Sequence, residues 1–229
     1  MSVSATETTE TTSSPAISSR LFQCTQCHQG HCDLNHQANA MVCSLCKFTY
    51  PVKNGIVDFV PDWQEERSLA QTAMESSPVV RIYESRLWRR NPLFEKFNNI
   101  SFEGEAQAII RAARLIGNET VLDLACGTGS YSRRFANAVP AGQVIGLDLS
   151  RPMLKLAASI TKSEQLENIQ FVRGNALDLA IPDSSIDVVN CCGALHLFPD
   201  TEAVLNEICR VLKPGGRFTT AVFRHRSGW

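Results

Sequence analysis

The sequence predicts an α/β fold: a parallel sheet with helices on both faces, preceded by a small cysteine-rich unit. Three observations carry that expectation. Segment 120–130, TVLDLACGTGS, reads as a buried strand running into a glycine-rich turn and then a helix. Further short apolar runs recur at 143–147, 169–173, 187–190 and 217–223. Upstream, Cys24/Cys27 and Cys43/Cys46 form two CxxC pairs separated by fifteen residues.

With 229 residues, 44% of them hydrophobic, the chain can build one domain of roughly 100–150 residues and a smaller appendage. The expected division is 1–20 a disordered tail, 21–61 a zinc-ribbon-like domain, 62–117 a helical linker, and 118–229 the α/β core. A net charge of −1 argues against a globally basic nucleic-acid binder. No run approaches the ~18 apolar residues that span a bilayer; the longest, 188–198, is short and contains Asn190 and His196. The first twenty residues are rich in Ser and Thr and lack an apolar signal core. Glu7 and Glu10 against the single Arg20 make a poor organelle address, so a cytoplasmic location is expected, with a plastid as the alternative.

Nine cysteines in a small secreted chain would suggest disulfides, but the grouping here is that of a zinc ribbon. Each CxxC turn brings two thiolates to one ion, and two facing turns complete a tetrahedron with Zn–S distances of about 2.3 Å. The expected ligands are Cys24, Cys27, Cys43 and Cys46. Cys32, His28, His31 and His36 lie close enough in sequence to replace any of them. A short hairpin follows, 50–52 and 56–59 around Lys53-Asn54-Gly55. The ribbon and the core are expected to be separate units.

Segment 65–117 reads as largely helical, with breaks at Pro78 and Pro92. From Arg81 to Arg114 it holds seven basic residues (81, 86, 89, 90, 96, 111, 114) against four acidic (84, 95, 103, 105). An anionic substrate, RNA, or simply a solvated helix face would account for that excess.

In the core, Val121, Leu122 and Leu124 supply the first strand. Gly127 and Gly129 allow positive φ where a ligand must approach the backbone. Asp148 closes the second strand nineteen residues after Gly129, placed to accept two hydrogen bonds from a ribose diol. A dinucleotide fingerprint would need a third glycine at position 132, which is Ser132, and the loop opens with Asp123 rather than glycine. The third strand, 169–173, leads into the turn Gly174-Asn175-Ala176, and 187–190 is the fourth strand. Helix 201–212 lines Val204, Leu205, Ile208 and Leu212 along one face, where Cys209 joins them. Leu212-Lys213-Pro214-Gly215-Gly216 ends that helix and turns into the fifth strand. Packing is the expected role of Cys126, Cys191, Cys192 and Cys209.

The motif Asp123-Leu-Ala-Cys-Gly-Thr-Gly resembles the first motif of class I S-adenosylmethionine-dependent methyltransferases, whose core is a Rossmann-like sheet. From Thr120 onward the chain resembles the family that includes ubiquinone and menaquinone methyltransferases. Segments 194–199 and 207–212, joined to the ribbon, more closely resemble uncharacterised methyltransferases of cyanobacteria and chloroplasts. The order of ribbon and core is also similar to bacterial enzymes that methylate a guanine of large-subunit ribosomal RNA. The resemblance implies S-adenosylmethionine as cofactor. It makes Asp123, Ala125, Gly127 and Gly129 the methionine-side loop, with Asp123 facing the cofactor's ammonium directly or through water. Asp148 is then the ribose clamp, Leu149 and Met153 adenine neighbours, and Asn175 and Ala176 the adenine turn. Residues 191–193, with Cys191 first, form the strand tip near the reacting methyl. A helix ahead of the first strand lids the cofactor in such folds, which would set Tyr83 and Trp88 against it.

Such folds continue beyond the fifth strand with a helix and a strand pair, whereas this sequence stops at Trp229, and it reads as C-terminally truncated. No catalytic base is identifiable; His196, beyond the fourth strand, could take a proton or merely shape the pocket. Three functions are compatible: methyl transfer to a small quinone, isoprenoid or other apolar ring; methylation of ribosomal RNA gripped by the ribbon; or silent cofactor binding. The ribbon's charge is neutral, Lys47 and Lys53 against Asp33 and Asp58, which favours the small acceptor over RNA.

Overall fold

In the computed structural model, which describes residues 21–61 and 101–222, the strands of both expected units join in one sheet. The N-terminal strands are β1 (Cys32–Asn35), β2 (Ala40–Cys43), β3 (Thr49–Lys53) and β4 (Ile56–Asp58). After α1 (Phe102–Ala113) come β5 (Thr120–Leu124), α2 (Ser130–Ala138), β6 (Gln143–Asp148), α3 (Arg151–Ser163) and β7 (Ile169–Arg173). Then follow β8 (Ile186–Cys192), a 3-10 turn (Leu195–Leu197), α4 (Thr201–Val211) and β9 (Leu212–Ala221). The order across the sheet is β1-β2-β3-β4-β7-β6-β5-β8-β9. Pairing is antiparallel from β1 to β4 and parallel from β4 onward.

The period-2 alternation of each central strand distributes its apolar residues between two cores. Leu122, Leu124, Ile145, Leu147, Val189 and Cys191 face one side, with Val204, Ile208 and Val211 of α4. Phe22, Tyr50 and Phe59 of the ribbon belong to that same cluster. Val121, Val144, Phe171 and Val188 face the other side, against Ile109 of α1, Phe135 of α2 and Leu154 of α3. Helices thus lie on both faces, and the ribbon completes the cover on the α4 side.

Helix starts follow their capping residues. Ser101, Ser150 and Asp200 each accept a hydrogen bond from an N–H of the first turn of α1, α3 and α4 respectively. α2 begins instead at Gly129 in a left-handed conformation, without a side-chain cap, because the strand must turn sharply into the helix. α1 is the described part of the expected helical segment; Pro78, Tyr83, Trp88 and Pro92 lie outside the described residues.

On α4, Leu205 and Cys209, expected on the packed face, are exposed, because only Val204, Ile208 and Val211 turn into the core. Two further sequence expectations change. The 212–216 turn lies inside β9: Leu212 pairs with Ile186 and Arg217 with Val188, so the chain bulges between them, with Gly215 at φ +79°. The second change is that ribbon and core are not separate units. Val57 pairs with Val172 and Asp58 with Arg173, making β4 a strand of the core sheet. The Phe59 N–H donates to Arg173 O (2.9 Å), the Gln23 N–H to Ala180 O (3.0 Å), and Gln170 Nε2 to Gly55 O (2.9 Å). β4, buried along its length, closes the edge that β7 would otherwise leave unpaired.

Candidate cofactor and metal sites

The C-terminal ends of β5 and β6 build the first site. Beyond Leu124, left-handed φ recurs at Ala125 (+54°), Gly127 (+55°) and Gly129 (+72°). The loop is tied down by Cys126 N–H to Leu147 O (3.0 Å) and Gly129 N–H to Cys126 O (2.9 Å). The two glycines do different work. A Cβ on Gly127 would meet nothing within 4 Å, so its surroundings are open. A Cβ on Gly129 would lie 2.9 Å from Phe171 Cζ and 3.2 Å from Ala157 Cβ, so that glycine lets α2 settle onto β7 and α3. Ala125 carries a side chain where the backbone favours glycine, at a cost of about 1 kcal/mol.

Asp148 joins this loop to the next helix. Its Oδ2 accepts from the Gly127 N–H (2.8 Å) and its Oδ1 from the Ser150 N–H (2.8 Å), with Ser150 capping α3. Leu149 is half-buried and Met153 buried on the first turn of α3.

Asp123 is only 2% exposed. Ser132 Oγ donates to its Oδ2 (2.5 Å) and Asn190 Nδ2 to its Oδ1 (2.7 Å), so both oxygens already have partners inside the protein. Burial pushes its pKa up to about 6, against those two hydrogen bonds, which lower it. In this geometry the Asp123 carboxylate is held in place behind the loop. Ser132 and Asn190 hold the Asp123 carboxylate in place, although in sequence Ser132 stands out only as the position where a dinucleotide fingerprint needs glycine.

The turn after β7 uses Asn175 locally: its Oδ1 accepts from the Leu177 N–H (3.0 Å). Ala176 is buried in the core cluster. At the tip of β8, Cys191 is fully buried on the α4 side, and burial pushes its thiol up to about 12. Cys192 lies on the opposite, partly exposed side and donates from Sγ to Asn190 Oδ1 (3.1 Å). Gly193, at φ +72°, has open space where a Cβ would be. The members of this tip that reach its surface are therefore Cys192 and Gly193. His196 is exposed on the 3-10 turn.

The second site lies at the far end of the ribbon. Sγ atoms of Cys24, Cys27, Cys43 and Cys46 all fall within 4.8 Å of one another. Cys24–Cys46 and Cys27–Cys43 are each 3.6 Å apart. Four sulfurs about 2.3 Å from a tetrahedral ion are about 3.8 Å apart, so the spacing fits zinc. The residues after each second cysteine, His28 (φ +52°) and Lys47 (φ +63°), are both left-handed, which turns N–H groups back toward sulfur. Gln26 N–H points at Cys24 Sγ, and Leu45 and Cys46 N–H at Cys43 Sγ, all at 3.4 Å. Hydrogen bonds from the Gln29 and Gly30 backbone lower the Cys27 thiol to about 6. Of the alternative ligands, Cys32, His28, His31 and His36 all lie outside the cluster of four: Cys32 is buried, His31 pairs with Asp33 (3.1 Å), and His28 faces Asp178 (3.7 Å).

Residues 116–227 match a family model described as a methyltransferase domain. Over 129 residues the chain is 42% identical to the demethylmenaquinone methyltransferase of Lactococcus lactis, covering 54% of this chain and 51% of that protein. Over 224 residues it is 29% identical to an uncharacterised chloroplastic methyltransferase of Arabidopsis thaliana, covering 89% of this chain and 62% of that protein. A solved structure of a putative S-adenosylmethionine-dependent methyltransferase from Methanococcus maripaludis shares the fold, with a TM-score of 0.54 at 21% identity over 70% of this chain and 67% of that one. The chain thus spans roughly half to three-fifths of the length of these two curated relatives.

Proposed function

We propose that residues 116–227, which match a methyltransferase domain, are of the class I S-adenosylmethionine-dependent kind, and that the chain transfers a methyl group from that cofactor to a small apolar acceptor, a quinone, isoprenoid or comparable ring. The observation that carries this reading is the pairing of Gly127 with Asp148: an open, left-handed glycine whose N–H is held by the carboxylate at the tip of the next strand. The donor set fits the cofactor, which supplies a methyl already activated on a sulfonium.

In this reading Asp148 accepts from the ribose hydroxyls, and the loop 125–129 receives the methionine portion against backbone rather than side chain. Ionised Asp123 offers its charge to the ammonium from behind Ala125 and Gly127. Leu149 and Met153 flank the adenine on the α3 side. Asn175 uses its oxygen within the turn and keeps its amide N–H groups for the base, with Ala176 beneath. At the tip of β8, Cys192 and Gly193 border the reacting methyl and orient the acceptor in line with it, while Cys191 packs behind them in the core. Zinc held by Cys24, Cys27, Cys43 and Cys46 is structural in this reading, since four thiolates leave no open coordination position.

The quinone class is supported by the identity to demethylmenaquinone methyltransferase over the core. No described helix is long and apolar enough to cross a membrane. We place the protein in the cytoplasm, with the plastid as the alternative that fractionation decides. The functional test is calorimetric titration with S-adenosylmethionine and S-adenosylhomocysteine, followed by a methylation screen of ring acceptors beside ribosomal RNA. Transfer to RNA alone would replace this acceptor class, and absence of cofactor binding would remove the reading.

A further inference from the structure

Asp58 stands at the end of β4, 2% exposed and in register with Arg173 of β7. Arg173 Nη1 donates to Asp58 Oδ1 (3.1 Å) and to Val60 O (2.6 Å), while its Nε donates to Leu149 O (2.9 Å). The other Asp58 oxygen is paired with Arg151, the first residue of α3. One ribbon carboxylate thus holds two guanidiniums, and both lead to 148–151. Arg173 fixes the Leu149 carbonyl, and Arg151 follows Ser150, whose N–H bonds Asp148 Oδ1. The Gly174 N–H donates to Asp148 O (3.2 Å), closing the bracket from β7.

We propose that Asp58 is a positioning residue for the cofactor loop: through Arg173 and Arg151, the ribbon hairpin sets where Asp148 and the start of α3 stand, so cofactor affinity depends on the ribbon. This rests on the reading of Asp148 as the ribose ligand. The loop between β6 and α3 is short, and Gly127, Arg173, Gly174 and Asp58 anchor it from beyond its own two elements. Removing Asp58 leaves the buried Arg173 guanidinium and the exposed Arg151 guanidinium without their shared anion, and the segments they hold lose that anchor. Coupling of this kind acts on binding free energy and is measured as a change in affinity, separately from any loss of stability.

The test uses the full chain with S-adenosylhomocysteine as probe, comparing wild type, Asp58→Ala, Asp58→Asn and the control Asp187→Asn. Asp187 holds Lys213 and the Thr120 N–H at the opposite ends of the strands. Asp58→Ala is expected to weaken the probe about fivefold or more, and Asp58→Asn, which keeps an acceptor for Arg173, to recover part of that loss. The control is expected to lower the thermal midpoint with the dissociation constant unchanged. Wild-type affinity in both Asp58 variants would overturn the proposal while leaving the cofactor reading intact, and if the alanine variant does not fold, the asparagine variant decides alone. A wild-type chain that binds no probe removes the cofactor reading and this inference together.

Discussion

Asp148 and Gly127 are joined across the mouth of the sheet by one hydrogen bond, N–H to Oδ2 at 2.8 Å, so the residue assigned to the ribose also holds the loop assigned to the methionine. Replacing Asp148 by alanine removes the ribose acceptor and orphans the Gly127 and Ser150 N–H groups at once. Cofactor affinity is expected to fall by about 1.5–3 kcal/mol, the range for hydrogen bonds to a charged group. Calorimetric titration of Asp148→Ala beside wild type measures it, and equal affinities would remove Asp148 from the site.

Asp123 sets a pH dependence. Its pKa in the folded chain, about 6, lies above the ordinary aspartate value of 3.8, so the folded state holds the proton more tightly than the unfolded state. The stability this provides is fully present below about pH 4 and is lost as pH rises through about 6. Cofactor binding runs the other way, because a positively charged ligand favours ionised Asp123. Affinity is expected to improve by about tenfold between pH 5 and pH 7. Asp123→Asn, with Ser132 turning its hydroxyl to accept, should flatten that profile, weaken binding at pH 7 and stabilise the free protein there by about 1–3 kcal/mol. A profile in Asp123→Asn as steep as in wild type would assign the titration to another group.

The metal prediction follows from the shared sheet. Purified protein should carry one zinc per chain, and Cys43→Ser should release it, because Cys43 Sγ sits 3.6 Å from Cys27 and gathers two N–H groups. Sequence spacing alone treats the ribbon as separable and so expects little effect on the cofactor. With β4 paired to β7, and Tyr50 lying between Cys24 (OH to Sγ 3.1 Å) and Phe59 (ring centroids 4.9 Å), loss of the metal should also weaken S-adenosylhomocysteine binding. Elemental analysis with parallel titration checks both halves. Metal-free wild type prepared without chelator would sink the first, and unchanged affinity after metal loss the second.

What the sequence made legible were local features with a fixed period or spacing. The third strand's limits, 169–173, are those observed, and the two CxxC turns converge as their spacing requires. Long-range pairing left no such trace. Nothing in the run Ile56-Val57-Asp58 distinguishes a strand that ends a hairpin from one that extends a parallel sheet, and Asp58 counts in sequence only as one negative charge. Its significance comes from Arg173, 115 residues away. Orientation was equally hidden: Asp123 opens the loop in sequence, yet its carboxylate points at Asn190, a residue that reads as an ordinary member of the fourth strand. The only available signal was that buried polar residues inside apolar strands must find partners, and Asp123 and Asn190 are such residues on neighbouring strands.

The two loop glycines give the sharpest contrast between stability and binding. Gly129→Ala places a Cβ 2.9 Å from Phe171 and 3.2 Å from Ala157 while forcing a left-handed alanine at φ +72°, so overpacking adds to backbone strain. A loss of about 2–4 kcal/mol in stability is expected. Gly127→Ala meets no neighbour within 4 Å, so only the conformational cost of φ +55° remains, about 1 kcal/mol. The same methyl group would project into the open space that the cofactor reading fills with the methionine portion. Gly127→Ala should therefore fold nearly as well as wild type yet lose at least about tenfold in affinity, corresponding to about 1.4 kcal/mol. Urea unfolding and calorimetric titration on both variants separate the two effects. A Gly127→Ala protein that binds as well as wild type would show that the open space beside Gly127 is not where the ligand lies.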